Sequence, residues 1–163
     1  MEQWLPIPGY DGYEASDQGR IRSLYTNSVL AVSRMGGGRP SVALTLERVQ
    51  VRRGLSLLIC QTFLPSPRED FTTPIHLDGD LMNCRVSNLA WRPRWFALKH
   101  TEQFNQGLPE TGPVRNIKTG IIYENVGSVV YSFGVLYNDV VKSIVNKTWV
   151  FPLMHCFEWV YPD

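Results

Sequence analysis

A chain of 163 residues with 44% hydrophobic, 19% charged and 12% aromatic residues has the composition of a folded protein, with room for one domain or a few small modules. That excludes a large multi-domain enzyme and a disordered polyelectrolyte. A net charge of +1 provides no overall field for a polyanion, so any contact with nucleic acid has to be local. Between residues 41 and 100, however, eight basic side chains face five acidic ones, and seven of the eight are arginine. Arginine's planar fork suits phosphates and guanine edges.

Three widely spaced cysteines, Cys60, Cys84 and Cys156, fit neither a disulfide framework nor a paired-cysteine zinc site. The first residues lack a basic stretch followed by an apolar one, and no apolar run approaches the ~18 residues of a membrane span. The expectation is a soluble, intracellular protein without membrane contact, in a reducing compartment.

In chain order, residues 1–40 are dense in turn residues around short apolar stretches at 20–24 and 29–32, read as strands of a small sheet. Residues 41–51 alternate as one strand. Residues 52–63 have helix-like apolar spacing and stop before Pro65. A short strand, a turn and a helix from about Val86 complete a module ending at 101. Residues 102–113, polar and broken by Gly and Pro, read as a linker. From Val114, two apolar runs around Lys118, Thr119 and Gly120 predict a hairpin. Two amphipathic helices separated at Gly134 and a closing strand follow, in the outline of a helix-turn-helix.

The most informative stretch is residues 74–91, PIHLDGDLMNCRVSNLAW. His76, Asp78, Gly79, Asn83, Asn88, Leu89 and Trp91 fall in register with the core pattern of the HNH endonucleases of phage and intron-borne homing enzymes, and the chain resembles that family. The opening, with Trp4, Pro6, Ile7, Gly9, Tyr10, Tyr13, Glu14, Ser16, Gly19, Arg20, Arg22 and Ser23 in pattern, resembles the nuclease-associated module that often begins these proteins. The tail from Val114 resembles the helix-turn-helix module that often ends them. The resemblance implies an α+β fold: a small antiparallel β module, a ββα-metal core, and a C-terminal β-hairpin with a helix-turn-helix. It also implies double-stranded DNA as partner, the cytoplasm of a bacterial host cell as location, His76 as general base, and Asn88 as a second residue of the catalytic motif.

The family binds one divalent cation through the residue before the histidine and through a carboxamide or imidazole on the following helix. Here those places hold Ile75 and Ala97, which have no donor atoms. The core is therefore read as degenerate and no metal is expected. Were the site active, Mg²⁺ or Mn²⁺ would be needed, with His100 and Asp78 as fallback ligands. Arg20, Arg22, Arg52, Arg53, Arg92 and Arg94 are the candidate DNA contacts of the first two modules. Arg20 and Arg22 alternate on a strand and so share a face. In the last module Asn138, Lys142 and Asn146, four apart, form a polar helical face opposite Val141 and Val145. Trp149, Phe151, Phe157, Trp159 and Tyr161 are assigned to that module's core.

The leading expectation is a sequence-specific DNA-binding protein that has lost cleavage and acts as a repressor. The alternatives are an active metal-dependent nicking or homing endonuclease, or a chain whose old DNA surface binds a protein partner.

Overall fold

Helix α1 (Leu55–Phe63) shows how the first half is organised. Its Leu55, Leu58 and Ile59 recur at helical spacing and are buried together with Cys60. It starts after Gly54 and ends at Leu64, where Pro65 disfavours further helix. The structure, a computed structural model, describes residues 1–161. It divides the chain into two compact units, one of residues 1–76 and 80–94, the other of residues 77–79 and everything from Trp95.

In the first unit β1 (Trp4–Pro6), β2 (Tyr13–Ser16), β3 (Ile21–Ser23) and β4 (Ser28–Val29) form an antiparallel sheet in chain order. A second sheet joins β5 (Ser33–Arg34), β6 (Pro40–Leu46) and β7 (Val49–Gly54). The single strand expected over 41–51 is thus a hairpin, closed between Leu46 and Val49 by Glu47 and Arg48 at φ 48° and 67°. Both loop residues lie in the left-handed region, as a two-residue type I′ turn requires. Because β7 runs through Gly54, Arg52 and Arg53 lie on a strand and not on the predicted helix. Two tyrosine hydroxyls stitch the sheets together: Tyr13 accepts from the Thr45 amide at 2.9 Å, and Tyr10 from Arg53 Nε at 2.7 Å. Helix α1 packs against both sheets and against the hairpin of β8 (Thr73–His76) and β9 (Leu89–Arg92). The helix expected from Val86 starts later, at Arg94: Val86–Asn88 is a single 3₁₀ turn leading into β9.

The second unit contains α2 (Arg94–Asn105) from Trp95 on, so residues 102–105 of the predicted linker are helical. Strand β10 (Val114–Asn116) lies between β11 (Ile122–Tyr123) and β12 (Phe157–Trp159), with the predicted Lys-Thr-Gly turn closing the β10–β11 hairpin. Helix α3 (Val126–Phe133) begins where Asn125 Oδ1 accepts the Ser128 amide at 2.8 Å and ends at Gly134, φ 59°. These are the side-chain N-cap and left-handed glycine stop that define a helix locally. Helix α4 (Tyr137–Asn146) follows after two residues. Gln103 of α2 clamps this corner, donating to the Val135 carbonyl at 3.2 Å and accepting the Tyr137 amide at 2.9 Å. The core is Val114, Val126, Val129, Val130, Val135, Val140, Ile144, Val150 and Phe157.

Of the five aromatic residues assigned to this core, Phe157 is fully buried, and Trp159 packs against the core half-buried. Phe151 rests on Trp95 and Phe96 at 5.7 and 5.6 Å between ring centroids. Trp149 and Tyr161 are exposed, at 68% and 76%, because the valine-rich core is already filled. With four α-helices and small antiparallel sheets the described residues are α+β, as the sequence implied.

Candidate nucleic-acid interface and histidine hairpin

His76 ends β8 opposite Leu89, and Ile75 faces Ala90, so the histidine is fixed by backbone pairing on a strand buried on both faces. Ile75 is 2% and His76 7% exposed. Residues 77–88 link the two strands. Asn88, also buried, donates its amide to the Asn83 carbonyl at 2.8 Å and pins the second half of this loop. Asp80 Oδ1 accepts the Met82 amide at 2.9 Å in a local turn. Cys84 turns inward, its Sγ 3.7 Å from His76 Nε2 and 3.6 Å from the Leu81 carbonyl oxygen. The sequence treats Cys84 only as an unpaired thiol. The signal that marks it is its place directly after Asn83, inside the stretch that carries the motif.

A hard cation requires several oxygen or imidazole donors around one point. Ile75 places a buried hydrocarbon before His76, and Ala97 on α2 is likewise buried. Among the described residues no three His, Cys, Asp or Glu side chains come together. The fallback ligands have other surroundings: His100 is buried between Phe96 and Phe104, with ring centroids 6.2 and 5.1 Å away, and Asp78 is exposed before Gly79. Neither of the two positions at which the resemblance places the cation's ligands, Ile75 and Ala97, offers a donor atom.

Burial pushes the thiols of Cys60 and Cys84 up to about 12, with Cys84 adding to the shift of Cys60 and Asp80 to that of Cys84. Unfolded thiols lose their protons near pH 9, so unfolding releases protons between pH 9 and 12. Stability should then fall across that window by about 1.4 kcal/mol per pH unit for each thiol. In the folded protein near pH 8, brief alkylation should label half-exposed Cys156 and spare Cys60 and Cys84 until denaturant is added, as read by peptide mass spectrometry. Equal labelling of all three would contradict the burial.

The first module brings Arg20 and Arg22 together over one ring: their guanidinium carbons lie 5.5 and 4.5 Å from the Trp4 ring centroid. Each is also ion-paired, Arg20 with Glu2 and Arg22 with Glu14, the latter at 2.5 Å. Arg52 is exposed and donates to Ser33 Oγ at 3.1 Å, while half-buried Arg53 is held by Tyr10. Arg94 is exposed. Arg92 differs from its expected surface position. It is 8% exposed, donates to the Trp91 carbonyl at 2.8 Å, and is lowered to about 10 by burial. Both faces of β9 are covered, so its alternate residues have no solvent side.

On α4, Asn138, Lys142 and Asn146 are all exposed, as expected. The apolar side is not the one predicted: Val140, Ser143 and Ile144 are buried, Val141 is half-buried and Val145 is 70% exposed. The buried stripe is rotated by one residue, about 100° of helix. A cleft of about 530 Å³ lies in this unit, lined by Lys99, Gln103, Tyr137, Asn138, Asp139 and Lys142 among others.

Comparison with known proteins finds similarity in sequence and in fold. Residues 2–45 match the NUMOD4 motif, covering β1 through most of β6. An uncharacterized HNH endonuclease of Acanthamoeba polyphaga mimivirus is 29% identical over 91 residues, 56% of this chain and 27% of the relative. The chain thus spans about a quarter of that relative's length. The solved structure of the HNH homing endonuclease I-HmuI, determined for its DNA binding and cleavage, matches with a TM-score of 0.56 and 18% identity over 99% of each chain. Part of the sequence is similar to an HNH endonuclease, and the fold is similar to that of an HNH homing endonuclease. His76, Asn88 and the opening that matches NUMOD4 all stand on the elements described above, and Ile75 and Ala97 are where the sequence departs from the HNH pattern. Among the described residues no helix is long and apolar enough to cross a membrane.

Proposed function

We propose that the chain is a sequence-specific double-stranded DNA-binding protein of HNH homing-endonuclease descent that no longer cleaves, and that it represses transcription where its site overlaps a promoter. The observation that carries this reading is Ile75, packed at 2% exposure beside a retained His76. The base survives next to a position that offers a cation only hydrocarbon. In this reading residues 1–40 and 41–101 hold the duplex through Arg20, Arg22, Arg52 and Arg94, and residues 114–163 do so through Asn138, Lys142 and Asn146. Residues 102–113 connect them. The exposed arginines and the polar face of α4 support the binding half of the proposal, since both offer donors to phosphates and base edges.

Selection from a randomised duplex library, followed by incubation of the bound pool with Mg²⁺ or Mn²⁺, tests both halves. One enriched motif is expected, with affinity that falls as salt rises and strands that stay intact. His76→Ala should bind the same motif within about twofold. Nicks stacked at one base step that vanish in His76→Ala would overturn the loss of cleavage and favour an active endonuclease. Failure to enrich any duplex would overturn DNA binding and turn attention to a protein partner.

A further inference from the structure

Cys84 is 3% exposed and presents one sulfur to two polar atoms, His76 Nε2 at 3.7 Å and the Leu81 carbonyl oxygen at 3.6 Å. A thiol has a single proton to donate and a sulfur that weakly accepts. The carbonyl can only accept, so that contact becomes a hydrogen bond only if the S–H points at it. The remaining contact is then a hydrogen bond only if the ring nitrogen carries its own hydrogen. The reverse assignment, S–H toward Nε2, satisfies one contact and leaves sulfur and carbonyl facing each other without a proton between them. One arrangement satisfies both: Nε2–H to Sγ, and S–H to the Leu81 oxygen.

We infer that Cys84 is a positioning residue for His76, accepting the Nε2–H so that the neutral imidazole is held in one tautomer, with Nδ1 as its proton-accepting nitrogen. The thiol retains the proton this requires, because burial pushes its ionisation far above neutral pH. Its backbone is fixed as well. The Cys84 amide donates to the Met82 carbonyl at 3.1 Å, and the Val86 amide to the Asp17 carbonyl at 3.0 Å, so the opening β module anchors the loop that carries the sulfur. The relation holds whether or not the chain cuts DNA, so its failure and that of the proposed function are separate results. It is the partner of a ring nitrogen that decides which tautomer a histidine adopts.

Long-range proton–nitrogen correlation spectra of protein labelled with ¹⁵N-histidine, recorded near pH 8, read the tautomer directly. His76 is assigned by the signal missing in His76→Gln. The wild-type ring should show Nε2–H. Cys84→Ser, whose hydroxyl also accepts and donates, should keep that tautomer, and Cys84→Val should lose it to a mixture of both. A wild-type ring protonated at Nδ1 overturns the assignment on its own, even if the valine variant does not fold. A Cys84→Val spectrum identical to wild type overturns the role of the sulfur.

Discussion

Gly19→Ala should lower the unfolding free energy by about 3 kcal/mol, measured as the shift of the urea midpoint at unchanged slope. Gly19 has φ +82°, and a Cβ there would lie 2.8 Å from the Cys84 carbonyl carbon and oxygen and 3.2 Å from the Arg85 nitrogen. The left-handed conformation costs an L-residue about 1–2 kcal/mol. Overpacking adds about 1–3 kcal/mol, at the upper end when the neighbour is backbone and cannot swing aside. The Cys84–Met82 and Val86–Asp17 hydrogen bonds hold that backbone on both sides. The control is Gly36→Ala, where no atom lies within 4 Å and no positive φ is needed; it should lose less than about 0.5 kcal/mol. Equal behaviour of the two variants would show that the turn does not press on the histidine loop. A folded Gly19→Ala protein should also show a perturbed His76 ring signal, because the shift enters through Cys84.

What could be read from the sequence, and what could not, follows from how each feature is encoded. The β10–β11 hairpin was legible because Gly120 supplies the positive φ its turn needs, and the α3 stop because Gly134 does the same. The β6–β7 turn was not, since Glu47 and Arg48 adopt the same left-handed geometry without the Asn or Gly that usually announces it. On α4, apolar residues at 136, 140, 141, 144 and 145 are compatible with two adjacent stripes. Only the packing partners choose the one through Val140 and Ile144 and leave Val145 in solvent. The histidine and Asn88 could be placed by pattern, because a strand–loop–strand unit carries its own spacing. The burial of Arg92 and the approach of Cys84 to His76 depend on what covers β9 and on how residues 77–88 fold back. No local periodicity encodes either.

Phe157→Ala is expected to cost about 3–5 kcal/mol, the usual range for deleting a fully buried phenylalanine. Its ring is 0% exposed within the valine-rich core, its strand pairs with Asn116 of β10, and β12 lies against α4. Seven of the nine residues of that cluster are valines, short and stiff at χ1, so the core refills little of the space. Against a domain stability of about 5–15 kcal/mol such a loss would bring the unit close to its unfolding midpoint, visible as a large fall in the urea midpoint by circular dichroism. Trp149→Ala removes an even larger ring, but one that is 68% exposed, and should change stability by no more than about 0.5 kcal/mol. The pair also separates structure from recognition. Asn138, Lys142 and Asn146 stand on the helix that Phe157 supports, so Phe157→Ala should weaken duplex binding in proportion to unfolding and recover it when the protein is cooled toward its stability maximum. Lys142→Ala, exposed and outside the core, should weaken binding at every temperature without moving the urea midpoint. A Phe157→Ala protein of wild-type stability would mean that the valines alone hold α4 in place, and the polar face would then owe nothing to β12.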